Sequence, residues 1–137
     1  FNDLKLNYWG HNGNFSDYQL QVPFVLHWPG QAGGRDARVS SHEDWVPTLM
    51  RHGLGCENAL TDYSTGHDLL AAPTGKRALV VESWSQRAVR AGEAIYVFDK
   101  FGNATALDAR YRPLPQQTPD AASIRAAWEA LTRFRNR

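Results

Sequence analysis

A single cysteine, Cys56, in 137 residues leaves no second thiol to pair with, which excludes an internal disulfide and any cysteine-based zinc site. It is expected to be a small filler residue following a helix, not a nucleophile. Long apolar runs are also missing. Nothing approaches the roughly 20 residues that carry a helix across a bilayer, and no positively charged start precedes a signal-like apolar stretch. Charge of one sign is scarce as well: 15 Lys and Arg against 14 Asp and Glu give a net +1, without a block of like charges. That pattern gives no footprint for nucleic acid. Internal repeats and low-complexity segments are absent too. The opening Phe1-Asn2-Asp3-Leu4 lacks an initiator methionine, so an excised piece of a longer protein is expected.

What is present is an ordinary globular composition, 42% hydrophobic and 21% charged, in a length that suits one domain with a real core. The balance of charge hides an asymmetry. Residues 1–76 hold five Lys and Arg against eight Asp and Glu (−3), whereas residues 77–137 hold ten against six (+4). The basic second half is suited either to an anionic surface or simply to solvation.

Along the chain, Tyr8 to Asp17 reads as a loop, because Gly10, Asn12, Gly13 and Asn14 all tolerate turn conformations. Val22 to Trp28 is an unbroken apolar run bounded by Pro23 and by Pro29-Gly30. Its lack of polar alternation predicts a short strand covered on both faces. Gln31 to Arg38 is a Gly-rich loop. A helix is expected near Glu43 to His52, capped by Ser41 or Asp44 and closed by Gly53, with Val46, Leu49, Met50 and Leu54 facing a core. A loop from Gly55 to Gly66, the short Asp68-Leu69-Leu70 segment and the breaker Ala72 to Gly75 follow.

After Lys76 the period changes to two. Arg77–Ser83, Ala94–Asp99 and Thr105–Tyr111 predict three antiparallel strands, with a hairpin turn at Lys100-Phe101-Gly102-Asn103. A last helix is expected after the Pro113–Pro115 loop, with Thr118 as its cap, Pro119 at its first position, and Ile124, Trp128, Leu131 and Phe134 on one face. The expected division is residues 1–75, part of an α/β core, and residues 76–137, a small sheet with a terminal helix. One buried strand is not a sheet, so the first part needs neighbours that this chain barely supplies.

Three segments in register, "VPFVLHWPG", "DWVPTLM" and "GHDLL", resemble the C-terminal part of the sulfatase/alkaline phosphatase superfamily. There a Val-Pro strand ends at Pro-Gly, a helix of the Asp-x-x-Pro-Thr-Leu type follows, and a Leu-Leu segment comes after it. The longer stretch "LNYWGHNGNFSDYQLQVPFVLHWPG" is similar to sulfatase-like periplasmic domains of bacterial inner-membrane proteins associated with outer-membrane lipid and lipopolysaccharide homeostasis. The resemblance is firm over residues 1–70 and loose beyond. It implies the C-terminal part of an alkaline-phosphatase-like α/β/α sandwich, extended by the antiparallel sheet and its helix. It places the parent protein on the periplasmic side of the inner membrane, membrane-anchored elsewhere in its chain.

In that superfamily a Thr, Ser or modified Cys nucleophile works beside a divalent metal held by acidic residues and an Asp-His pair. Those positions lie upstream of "YWGH", and no Asp-His-Gly motif occurs here. The resemblance therefore implies no cofactor and no metal ligand in these residues, with a divalent metal only in the intact parent. His11 matches a histidine that relatives direct at a bound phosphate or sulfate, where an imidazole can donate to an anionic oxygen or protonate a leaving group. A loop histidine bonded to nearby backbone is the alternative. Trp9, Asn12 and Asp17 are candidates for the same substrate or lipid contact, and Arg133, Arg135 and Arg137 for an anionic membrane. His27 reads as a core residue within the strand. His42 and His52, ten residues apart, do not have the spacing of a helical metal pair.

Two functions are expected on this basis. One is a binding or regulatory module built on an inherited fold; the alternative is part of a metal-dependent phosphoric or sulfuric ester hydrolase or a phosphoethanolamine-type transferase. Expected partners are the remainder of the parent domain, anionic lipid or lipopolysaccharide, and a second copy through the apolar strand, with no nucleic acid.

Overall fold

The computed structural model describes residues 2–7, 9–10, 14–73, 75–115, 118 and 120–134. The chain forms two compact units, one from Phe1–Gly30 together with Arg77–Arg137 and one from Gln31–Lys76.

The first unit is built on a four-stranded antiparallel sheet, β1 (Ala78–Glu82), β2 (Arg87–Ala91), β3 (Ala94–Phe98) and β4 (Ala104–Asp108), in sequential order. Each connection is short, as antiparallel neighbours require. Gly92-Glu93 is a two-residue hairpin loop in which Gly92 has φ +61°, a conformation that turn demands and glycine gives without strain. Between β3 and β4, the Asp99 carboxylate accepts from the N–H groups of Phe101 (2.8 Å) and Asn103 (2.9 Å) and from the Asn103 side chain (2.9 Å). The sequence missed β2: Arg-Ala-Val-Arg-Ala has small or charged residues at most positions and little of the β-branched and aromatic enrichment that marks a strand.

The register assigns each side chain to a face. Leu79, Val81, Ala88, Arg90, Ile95, Val97, Thr105 and Leu107 share one side. On it Phe15 joins Ala88, Ile95, Val97 and Leu107 in the buried core, with Leu20, Val81 and Tyr111 packed around them. Phe15 is held there by a four-residue helix, α1 (Asp17–Leu20), which starts at the last residue of the segment expected to be loop. The Asp17 N–H donates to the Ala109 carbonyl (3.0 Å), and Ser16 N–H to the Asn14 side chain (3.0 Å). The opposite face is covered by α3 (Ala121–Thr132). There Trp128 meets Phe98 edge-on at 5.4 Å, and the Arg87 guanidinium lies 5.9 Å above the indole. Covering on both sides explains why β3, Ala-Ile-Tyr-Val-Phe, is an uninterrupted apolar run. Fully burying Ile95 or Val89 contributes on the order of 1.5–3 kcal/mol each.

The last helix is placed as the sequence predicts, but its cap is Asp120, whose carboxylate accepts from Ala122 N–H (3.3 Å) and Ser123 N–H (3.1 Å). Pro119 lies outside the described residues. The anticipated strand Val22–Trp28 is overturned: this segment takes no part in the sheet, and Val22, Phe24 and Val25 are exposed, Val25 to 90%. A run this apolar becomes a buried strand only beside other strands, and the four strands among the described residues pair with one another. His27, expected in the core, is exposed for the same reason.

The second unit has its own logic. A 3-10 turn, His42–Asp44, runs into α2 (Trp45–His52), and a second turn covers Leu60–Asp62. Ser41 and Asp44 form a reciprocal capping box: the Ser41 side chain accepts from Glu43 N–H, and Asp44 accepts from Ser41 N–H at 2.8 Å. Only part of the expected apolar stripe is sheltered: Leu49 and Met50 are half-buried. Val46 is half exposed and Leu54 more so, whereas Asp44, Pro47 and Thr48 are buried. Gly53 follows the helix in an ordinary right-handed conformation, and the left-handed glycine is Gly55 at φ +68°.

Candidate functional site

Two of the anticipated cleft residues, His11 and Asn12, lie outside the described residues, as do Arg135 and Arg137. Trp9 is 77% exposed. Asp17 stands at the start of α1, paired with the guanidinium of Arg90 and accepting from the Gln21 side-chain amide (3.1 Å). Arg90 projects from β2 on the core face, beside Leu79 and Ile95, so Asp17 neutralises a cation that the sheet would otherwise hold against apolar neighbours. Arg133 follows α3 directly and is exposed. The structure thus joins Asp17 to Arg90, which the sequence had not singled out.

The densest polar cluster lies where two of the sequence motifs meet. The Asp44 carboxylate, 1% exposed, accepts from His67 N–H at 2.7 Å as well as from Ser41 N–H. Thr48, wholly buried, donates to the Asp44 carbonyl (2.6 Å) and accepts from Leu69 N–H (2.8 Å). Gly66 is pressed against the Glu43–Asp44 peptide, so closely that a β-carbon would lie within 2.8 Å of Asp44 N and closer still to the Glu43 carbonyl. The Glu43 side chain accepts from the Thr65 hydroxyl at 3.1 Å. Asp-Trp-Val-Pro-Thr and Thr-Gly-His-Asp-Leu-Leu are therefore two halves of one clasp, whose side chains satisfy backbone donors in place of an apolar core. At its margin His52 and the nearly buried carboxylate of Asp68 are 2.8 Å apart. The ten-residue spacing of His42 and His52 concealed that partner, because Asp68 arrives from a different segment.

An open recess of about 510 Å³ lies at one end of the sheet, between the β1–β2 and β3–β4 turns. Trp84, Arg87, Phe98, Lys100 and Trp128 line it. Trp84 is 94% exposed, and Phe101, beside the recess, 79%. The Lys100 ammonium lies 5.0 Å above the Phe101 ring, while Arg87 is paired with Glu82 at 2.5 Å. Sequence reading passed over this end, although an aromatic residue inside each of two turns, Ser-Trp-Ser and Lys-Phe-Gly, was a visible signal.

Among the described residues no three His, Cys, Asp or Glu side chains come together as a metal cradle, and no helix is long and apolar enough to cross a membrane.

No family model matches the chain. It is distantly similar to a protein of Salmonella typhimurium described as inner membrane protein YejM, 27% identical over 111 residues. The same identity and length hold for inner membrane protein YejM of Salmonella typhi. An uncharacterized protein of Haemophilus influenzae is 27% identical over 115 residues. In each case the match takes in 81% of this chain but only 19% of the relative, so the chain spans about a fifth of the length of the curated relatives it matches.

Proposed function

We propose that this chain is the C-terminal portion of a sulfatase-like periplasmic domain of a YejM-type inner-membrane protein, acting as a binding or regulatory module in outer-membrane lipid and lipopolysaccharide homeostasis. The observation that carries this reading is the similarity to inner membrane protein YejM over 81% of the chain, beside which the clasp gives the motif residues an architectural role. The side chains of the superfamily-like motifs, Asp44 and Thr48, are turned onto backbone N–H and C=O groups, where they hold the fold together. Function resides in sites and not in folds, so a scaffold whose motif residues serve architecture is suited to present surfaces. The exposed run from Val22 to Val25 supports the larger domain, since it has the composition of a strand awaiting neighbours that the remainder of the parent, or a second copy, would bring.

The test uses the whole parent protein reconstituted with detergent or nanodiscs. Binding of lipopolysaccharide and of anionic phospholipid is measured beside hydrolysis of chromogenic phosphate and sulfate esters over a range of divalent metals. Binding without turnover is the expected result. Saturable, chelator-sensitive ester cleavage would replace this reading with the metal-dependent hydrolase or transferase alternative.

A further inference from the structure

We propose that the end of the sheet bearing Trp84 and Phe101 is a docking surface for the lipid–water interface of a bilayer. The proposal rests on the reading of the chain as part of a membrane-anchored protein, and goes beyond it by naming the face that meets lipid.

The antiparallel order brings the β1–β2 and β3–β4 turns to one end of the sheet and the Gly92-Glu93 turn to the other. The two ends differ in chemistry. Gly92, Glu93, Arg110 and Arg112 occupy the polar end, whereas Trp84 and Phe101 stand almost fully in water at the other. Large aromatic rings at hairpin tips bury no core, and their exposure is unfavourable unless another phase receives them. Indole and phenyl rings favour the headgroup level of a bilayer, where an apolar body is sheltered and polar groups remain wet.

Three further features fit that phase. Phe101 is pre-positioned, because the Asp99 carboxylate fixes the turn by accepting from three donors, Phe101 N–H, Asn103 N–H and the Asn103 amide. Lys100 lies over the Phe101 ring, which places an ammonium beside the ring that would enter the interface, within reach of a lipid phosphate. The carboxylates at this end are engaged internally, Glu82 by Arg87 and Asp99 by its own turn. The outward-facing charge is consequently the cation, complementary to phosphate headgroups.

The test is co-sedimentation of the 137-residue chain with vesicles of phosphatidylcholine and of phosphatidylcholine mixed with phosphatidylglycerol. The double variant Trp84→Ala/Phe101→Ala is expected to lower the partition coefficient at least about tenfold on both, since each ring removes well over 50 Å² of apolar contact. Lys100→Glu is expected to cost about fivefold or more on the anionic mixture and little on phosphatidylcholine. Leu54→Ser, an exposed apolar residue of the other unit, is expected to leave partition unchanged. As an independent readout, bromine-labelled acyl chains quench the wild-type tryptophan fluorescence and quench Trp84→Phe less. Absence of vesicle binding, or unchanged binding by the double variant, overturns the proposal. So does a concentration-dependent dimer that the same two substitutions abolish, since that makes the end a protein–protein face. Lipopolysaccharide binding by the parent is independent of these outcomes, so this proposal can fail while the functional reading stands.

Discussion

Replacing Gly66 by alanine is the sharpest test of the clasp. An added β-carbon would lie within 2.8 Å of Asp44 N and closer to the Glu43 carbonyl, whereas ordinary contact begins at 3.4 Å. The Asp44 backbone must therefore retreat by at least 0.6 Å (3.4 minus 2.8) and the Glu43 carbonyl by more. Because both obstacles are main chain, no rotamer change relieves them. A retreat of that size lengthens the 2.7 Å bond from His67 N–H to the Asp44 carboxylate to at least about 3.3 Å, the weak end of the range. A lost hydrogen bond to a charged group costs about 1.5–3 kcal/mol, and forced overpacking about 1–3 kcal/mol. Their sum, about 2.5–6 kcal/mol if the bond is lost outright, compares with the roughly 2–7 kcal/mol that a segment the length of Gln31–Lys76 holds in total. Gly66→Ala is thus expected to loosen most of that unit. Amide hydrogen exchange on the intact chain reads this directly: protection over residues 41–70 falls about two to three powers of ten, while residues 78–108 exchange as before. Gly33→Ala, with open space and no positive φ, is the control and shifts protection by no more than about twofold. Wild-type protection in Gly66→Ala would refute the clasp as the source of that unit's stability.

Three further outcomes follow from the first unit. Asp17→Ala is expected to destabilise the chain to urea by about 2–3 kcal/mol, because it leaves Arg90 unpaired on the core face, and Asp17→Ala/Arg90→Met should recover part of that loss. A neutral Asp17→Ala would show the pair to be idle. Asp120→Ala removes the cap of α3 and is expected to cost about 1 kcal/mol, visible as a lower thermal midpoint. Asp99 is held below the ordinary carboxylate value chiefly by the Asn103 side chain, and Asp108 chiefly by the Arg112 N–H. A carboxyl depressed in the folded state stabilises it above the unfolded value, 3.8, and loses that contribution as pH falls through the lower folded value. Acid titration should accordingly weaken both turns below about pH 4, and Asp108→Asn should flatten that dependence.

The strands β3 and β4, the turn between them and α3 were legible because their patterns are local: an apolar run ended by Asp-Lys-Phe-Gly-Asn, and an i, i+3, i+4 stripe containing Ile124 and Trp128. The helix around Val46 was legible as a helix, yet its buried side was not. Apolar periodicity pointed to Val46, Leu49, Met50 and Leu54, of which only Leu49 and Met50 are half-buried, whereas the unit closes on Asp44 and Thr48, whose partners His67 and Leu69 lie some twenty positions away. Hydrogen bonds between distant segments leave no period in a sequence. Val22–Trp28 was misread for the opposite reason: its composition is that of a strand, but composition does not bring a neighbour. Of the candidate site, Trp9 is exposed and Asp17 is paired with Arg90. The recess by Trp84 was overlooked because period-two reading weighs strand interiors and discounts turns.

The core of the first unit joins segments that lie far apart in the sequence. Phe15 and Asp17 leave the ribosome before the β-strands that receive them, carrying Leu107 and Arg90, which follow only after the 46 residues of Gln31–Lys76. Until then Phe15 and Asp17 lack the partners that this sheet gives them, so the core of the unit closes only late in its own synthesis. Nascent chains stalled before Arg77 should leave Phe15 open to solvent, and chains released past Asp108 should bury it.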